Sequence, residues 1–303
     1  MTIFVKLMNL DFETFILYYN FEFFVNCVIS LIFQSKYIDD IISFVQITES
    51  NLNIKNVSIS FKLYGLLLIL LCVRVTAYAL FSTLNHFLSF ILCFVLLVSI
   101  LLSYYSKILF FDILFHRMRI LRKAFDYKYV KINVIGKDRC KHRIKNIKKC
   151  LSIYDYILDR VENMDLELQI WLFFTVLIYF PKAVLFMRNA MMLIIHKELL
   201  TFRTFWVVFT LLYTILLGTW PMILFEMTKN EVDIIKDILF KQYLADNDET
   251  LRLEIQRALQ HIEQRPCQYK VCRMMPMGVG VPVSFVSLCV TYVIVLVQLT
   301  PLK

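Results

Sequence analysis

Residues Val279 to Thr300 read VGVPVSFVSLCVTYVIVLVQLT, an uncharged apolar run that ends three residues before the chain does. At about 1.5 Å per residue it makes roughly 33 Å of helix, which matches a hydrocarbon core of about 30 Å. The run is therefore read as a transmembrane helix. Its amide, Gln298, sits near the end of the run, and a polar group in hydrocarbon needs a partner or water. Gln298 either faces protein or a pore, or caps the helix at the membrane interface.

The rest of the chain has the same character. Of 303 residues 59% are hydrophobic, 27 are Phe and only 5 are Gly, and the mean hydropathy is +0.65. These values lie outside the soluble range and predict an all-α, polytopic transmembrane protein. Six runs are long enough to span: 12–33, 63–85, 87–111, 168–190, 203–227 and 279–300. Several hold charges. Glu13 and Glu22 in the first are costly in lipid unless they face a protein interior, Arg74 lies near the middle of the second, and Lys182 and Arg188 lie in the fourth.

Lysine and arginine set the orientation, because short cytoplasmic loops carry the excess positive charge. Segment 112–167 holds 14 of them, 228–278 holds 8 and 34–62 holds 3, so 25 of 33 lie on one side. Those loops are expected to be cytoplasmic and the C-terminus extracellular. The formal charge of +9 is thus mostly topogenic, and nucleic acid is not an expected partner. For the run Lys137 to Lys149 the expected partner is anionic membrane lipid of the inner leaflet. Cys27, Cys72, Cys93 and Cys289 fall in spans. Cys140, Cys150, Cys267 and Cys272 fall on the reducing side, where unpaired thiols are expected. No ligand set has zinc spacing, and no catalytic motif such as GxSxG, HExxH or a Walker loop occurs, so neither metal, cofactor nor enzyme activity is expected.

After the 203–227 run, Val232, Ile235, Ile238, Leu239 and Tyr243 recur at three and four residues. A second set, Leu251, Ile255, Ala258, Leu259 and Ile262, follows the breaker Asp246-Asn247-Asp248 and ends before Pro266. This reads as two short amphipathic helices that need a partner surface. Arg74 costs roughly 2.5–3.5 kcal/mol in a span and should face a wet cavity or an acidic partner. Tyr78 lies one turn away, and Trp206 and Tyr213 occupy the outer half of their own run. One cation with aromatic walls suits a small polar or aromatic ligand, while packing and interface roles account for each aromatic singly. Pro181 and Pro221 mark expected kinks.

The order Thr291-Tyr292, five aliphatic residues from Val293 to Val297, Gln298 and Leu299 resembles the closing motif of insect gustatory receptors, which usually have Phe where Leu299 stands. The variant ending in Gln-Leu is similar to the related odorant receptors and their co-receptor. The resemblance is specific over 279–300, is supported from about residue 112 onward and is lost before residue 60. It implies a ligand-gated cation channel of the plasma membrane, in which four subunits surround one pore and a small-molecule tastant opens it. It further implies ligand-sensing helices over 1–227 with loops 34–62 and 112–167, anchor helices over 228–278 that join subunits, and a pore-lining helix with a short tail over 279–303. Val295 and Leu299 match gate positions and Gln298 their polar neighbour. Seven helices and an internal N-terminus are usual in the family, so the chain is expected to be shortened at its first helix. The alternatives are an odorant receptor, a secondary transporter, for which no inverted repeat is visible, and a non-functional receptor fragment.

Overall fold

The computed structural model describes residues 20–28, 42–48, 50, 65, 69, 87–126, 137–162, 166–195, 202–271, 275–278 and 280–299. Helical segments occur at 20–28 and 42–48. They are followed by α1 (Phe87–Phe125), α2 (Lys137–Glu162), α3 (Leu166–Ile195), α4 (Phe202–Ala245), α5 (Glu249–Gln264), a two-residue antiparallel ladder of β1 (Lys270–Val271) and β2 (Met275–Pro276), and α6 (Gly280–Leu299). Among the described residues the fold is all-α apart from that ladder. Stretches Val98–Phe125 and Val208–Ala245 are long and apolar enough to cross a bilayer, with mean hydropathies of 1.6 and 1.9, and Gly280–Val295 is a shorter apolar helix. Both prolines, Pro181 and Pro221, lie inside uninterrupted helices.

α1 and α4 pack along one another, and α3 packs against both α4 and α6. The 39 residues of α1 and 44 of α4 make about 58 and 66 Å of helix, twice the thickness of a hydrocarbon core. Half of each must therefore project beyond the bilayer. The start of α6 fixes the boundary: an added Cβ at Gly278 would sit 2.9 Å from Glu226 Oε2, so α6 enters beside Glu226 of α4. Beyond Glu226, α4 continues for about 28 Å to Ala245.

The projecting halves carry the main core. Ile108, Phe111, Leu114, Met118 and Leu121 of α1 join Ile147, Tyr154, Ile157 and Leu158 of α2, Val232, Ile235 and Leu239 of α4, and Leu251, Ile255, Ala258 and Ile262 of α5. In each helix the buried residues recur at three and four, the period of one helical face. The ends are closed by side chains. Gln242 donates to the Phe125 carbonyl at 2.8 Å and Asn146 to the Ala124 carbonyl at 3.2 Å, satisfying acceptors left open where α1 stops. Asp248 caps α5 by accepting from the Thr250 and Leu251 amides at 2.9 and 3.4 Å. Hydrogen bonds from the Cys140 thiol and from Thr250 hold its carboxyl down at about 2.

Two expectations change here. The first of the two short helices is the outer half of α4, because nothing between Met227 and Ala245 breaks a helix and Thr228, Glu231 and Val232 stay buried through the junction. The basic segment 112–167 is mostly helix, its apolar period hidden in sequence by the charges of its first half.

Burial pushes the thiols of Cys150 and Cys267 up to about 12. Both are expected to resist maleimide in the folded protein near neutral pH and to react once it is denatured, as quantified by mass spectrometry. Rapid labelling of Cys267 in the native state would contradict the docking of the segment after α5.

Candidate functional site

The last helix has two unlike faces. Phe285, Cys289 and Val293, spaced by four, turn toward Phe180, Ala183, Val184, Met187 and Met191 of α3. The ring of Phe180 meets Phe285 and Tyr292 edge-on, with centroids 5.9 and 5.5 Å apart. At 100° per residue, Gly280, Ser284, Ser287, Thr291 and Gln298 fall within about 60° of one another on the opposite side, and all five are exposed. The Thr291 hydroxyl donates to the Ser287 carbonyl at 3.0 Å, which covers part of its polarity but leaves the stripe facing away from the protein. Ile294 and Val295, 46% and 45% exposed, interrupt the stripe with an apolar step between Thr291 and Gln298.

Of the sequence-predicted gate residues, Thr291, Val295 and Gln298 therefore share one outward side. Tyr292 is half exposed and leans on Phe180. Leu299 closes α6, and its side chain lies outside the described residues. Among the pocket candidates, Arg74 and Tyr78 lie outside the described residues, and Trp206 belongs to α4 with its side chain outside them. Tyr213 is 2% exposed and stacks on Phe209, with centroids 6.5 Å apart and planes 13° apart. Its side chain is packed within the bundle, and how the four candidates lie relative to one another is outside the described residues.

A second polar site was not legible as a unit. Glu22 and Lys182 are 0% and 3% exposed, and Lys182 Nζ lies 2.7 Å from Glu22 Oε2. The Tyr104 hydroxyl donates to Glu22 Oε1 at 2.9 Å. One turn along, Asn26 donates to the Glu22 carbonyl at 2.9 Å and accepts from Ser103 Oγ at 3.1 Å. The expectation that Glu22 must face a protein interior is met, and its cation comes from the charged residue noted in the 168–190 run. The sequence signal was two opposite charges, each in an apolar run; which runs are neighbours could be had only from the fold.

A third cluster fastens the projecting end. Arg265, just past α5, pairs with Asp155 at 3.2 Å and Glu162 at 3.0 Å, and also with Asp159. His261 Nε2 lies 2.8 Å from Asp155 Oδ1, and the Tyr154 hydroxyl donates to the Arg265 carbonyl at 2.8 Å. Hydrogen bonds that it donates to the carboxylates of Glu162 and Asp159 hold the guanidinium above its ordinary value. These acids sit on one face of α2 at positions separated by four and three, a spacing visible in the sequence, although their cation is about a hundred residues away.

Apolar helices of spanning length, charges gathered into protein-facing pairs and a helical projection beyond the bilayer together define an all-α integral membrane protein. The chain belongs to the 7tm chemosensory receptor family, whose model matches residues 12–301. The match begins well before residue 60, so the family relationship reaches further toward the N-terminus than the motifs alone carried it. No curated protein matches the chain significantly.

Proposed function

We propose that this chemosensory receptor is a gustatory receptor that conducts cations itself, opened by a small-molecule tastant, with four subunits placing α6 around a plasma-membrane pore. The observation that carries the reading is the stripe of Ser284, Ser287, Thr291 and Gln298 opposite the α3-facing side of α6. Hydroxyls and an amide aligned for about 21 Å are poorly suited to lipid and well suited to a water-filled path. Ile294 and Val295 supply the apolar step at which such a path closes by dewetting.

The charge distribution supports a cytoplasmic position for the projecting half of the bundle and an extracellular C-terminus. Anionic lipid of the inner leaflet remains the proposed partner of the basic run, one residue of which is also held by protein. Arg143 of α2 pairs with Asp246 just past α4, about 28 Å beyond Glu226.

An epitope after Lys303 is expected to stain unpermeabilised cells, and one inserted beside Lys145 is expected to stain only after permeabilisation; the reverse pattern overturns the orientation. Voltage clamp of cells expressing the chain, with a panel of sugars, alkaloids and carbon dioxide, is expected to show unitary openings. Leu299 favours the odorant-receptor reading, and current that requires the odorant co-receptor would support it instead.

A further inference from the structure

The buried Glu22–Lys182 pair lies beside the segment that seats α6. Within five residues α3 carries contacts in two directions. Lys182 reaches Glu22, while Phe180, Ala183 and Val184 meet Phe285, Cys289, Val293 and Tyr292 of α6. At 100° per residue the two directions are about 150° apart, so α3 stands between the 20–28 segment and α6. Pro181 lies immediately before Lys182. Lacking an amide hydrogen, it cannot complete the helical bond to the carbonyl four residues back, which frees that turn to bend. The other end of the network is fixed twice to α1, by Tyr104 and by Ser103.

Adhesion alone does not account for these charges. A buried ion pair commonly contributes no more stability than apolar side chains of similar volume, and each charge is costly to place in a membrane helix. What a short paired contact supplies, and apolar packing does not, is a single defined position at a turn free to bend.

We propose that the Glu22–Lys182 pair, with Tyr104, is a latch that holds α3 at its Pro181 turn and thereby sets the resting position of α6; Glu22 and Lys182 are positioning residues for gating. The consequence for current rests on the pore reading above, but the position of α6 is measurable without current.

The test uses the full chain in cell membranes with Val295→Cys as a reporter, modified by a water-soluble methanethiosulfonate reagent. Two backgrounds are compared with the native pair. The apolar double substitution Glu22→Leu with Lys182→Met preserves volume and leaves no buried charge, so normal surface expression is expected. The reversed pair Glu22→Lys with Lys182→Glu restores the contact. The apolar double is expected to change the modification rate at position 295 by about threefold or more, a shift in the equilibrium of α6, and the reversed pair is expected to bring the rate back toward that of the native pair. An unchanged rate in the apolar double overturns the latch, as does a rate in the reversed pair that stays with the apolar double despite normal surface expression. If the rate changes as expected while no background carries current, the pore reading fails and the latch stands.

Discussion

Val295→Ser is expected to produce a channel that conducts without ligand. In the proposed assembly Val295 and Ile294 form the apolar interval between Thr291 and Gln298 on the outward side of α6, and such an interval excludes water because its walls offer no hydrogen bonds. Exchanging valine for serine removes about 1.5 kcal/mol of apolar character per side chain. Around a ring of four this sums to about 6 kcal/mol, slightly more than the roughly 5.5 kcal/mol that separates a pore closed 99% of the time from one open 99% of the time. Whole-cell recording at matched surface expression checks it, and a resting current equal to that of the unmodified protein would place the gate elsewhere. Leu299→Ser is expected to act in the same direction, while Gln298→Leu should alter conductance or ion preference, because in the proposed pore the amide would replace part of an ion's hydration shell.

Lys182→Met alone is expected to be the most damaging single substitution in the bundle. It leaves the Glu22 carboxylate, 0% exposed, with the Tyr104 hydroxyl but without its cation, and breaking a buried pair from one side costs about 3–5 kcal/mol. That is a large fraction of the roughly 5–15 kcal/mol that holds a typical domain folded. Surface biotinylation should therefore find little of this variant at the plasma membrane, and adding Glu22→Leu should return it. Full surface expression of Lys182→Met would show that Glu22 readily finds another donor or a proton.

The contrast between these residues and the projecting helices shows what a single sequence can yield. The inward faces of α4 and α5 were legible almost residue by residue: Val232, Ile235, Leu239, Leu251, Ile255, Ala258 and Ile262 are buried, with Ile238, Tyr243 and Leu259 half-buried beside them. Their period is local, so no knowledge of neighbours is needed. The α6 span was legible from composition and length. What its outward side would be was not, because that depends on which residues α3 covers. The Glu22–Lys182 contact joins residues 160 positions apart, and Arg265 finds its acids about as far away as a domain is long; no periodicity encodes such pairings. Continuity of α4 through Met227 was missed because hydropathy falls there while helical propensity does not. Arg74 and Tyr78 lie outside the described residues.

Because α4 runs unbroken from the bilayer to Ala245, it is a lever with its load at one end. Glu226 lies beside the turn that leads into α6, and the far tip is tethered to α2 through Asp246 and to the end of α1 through Gln242. A tilt of about 5° at the membrane surface would sweep that tip through about 2.5 Å, enough to strain both tethers. In the proposed channel the tethers would act as a mechanical ground: stiffening them would raise the work of opening, and loosening them would lower it, although they lie about 28 Å from where α6 begins. On that reading, sensitivity to ligand is expected to be tunable by substitutions that touch neither the proposed pocket nor the proposed pore.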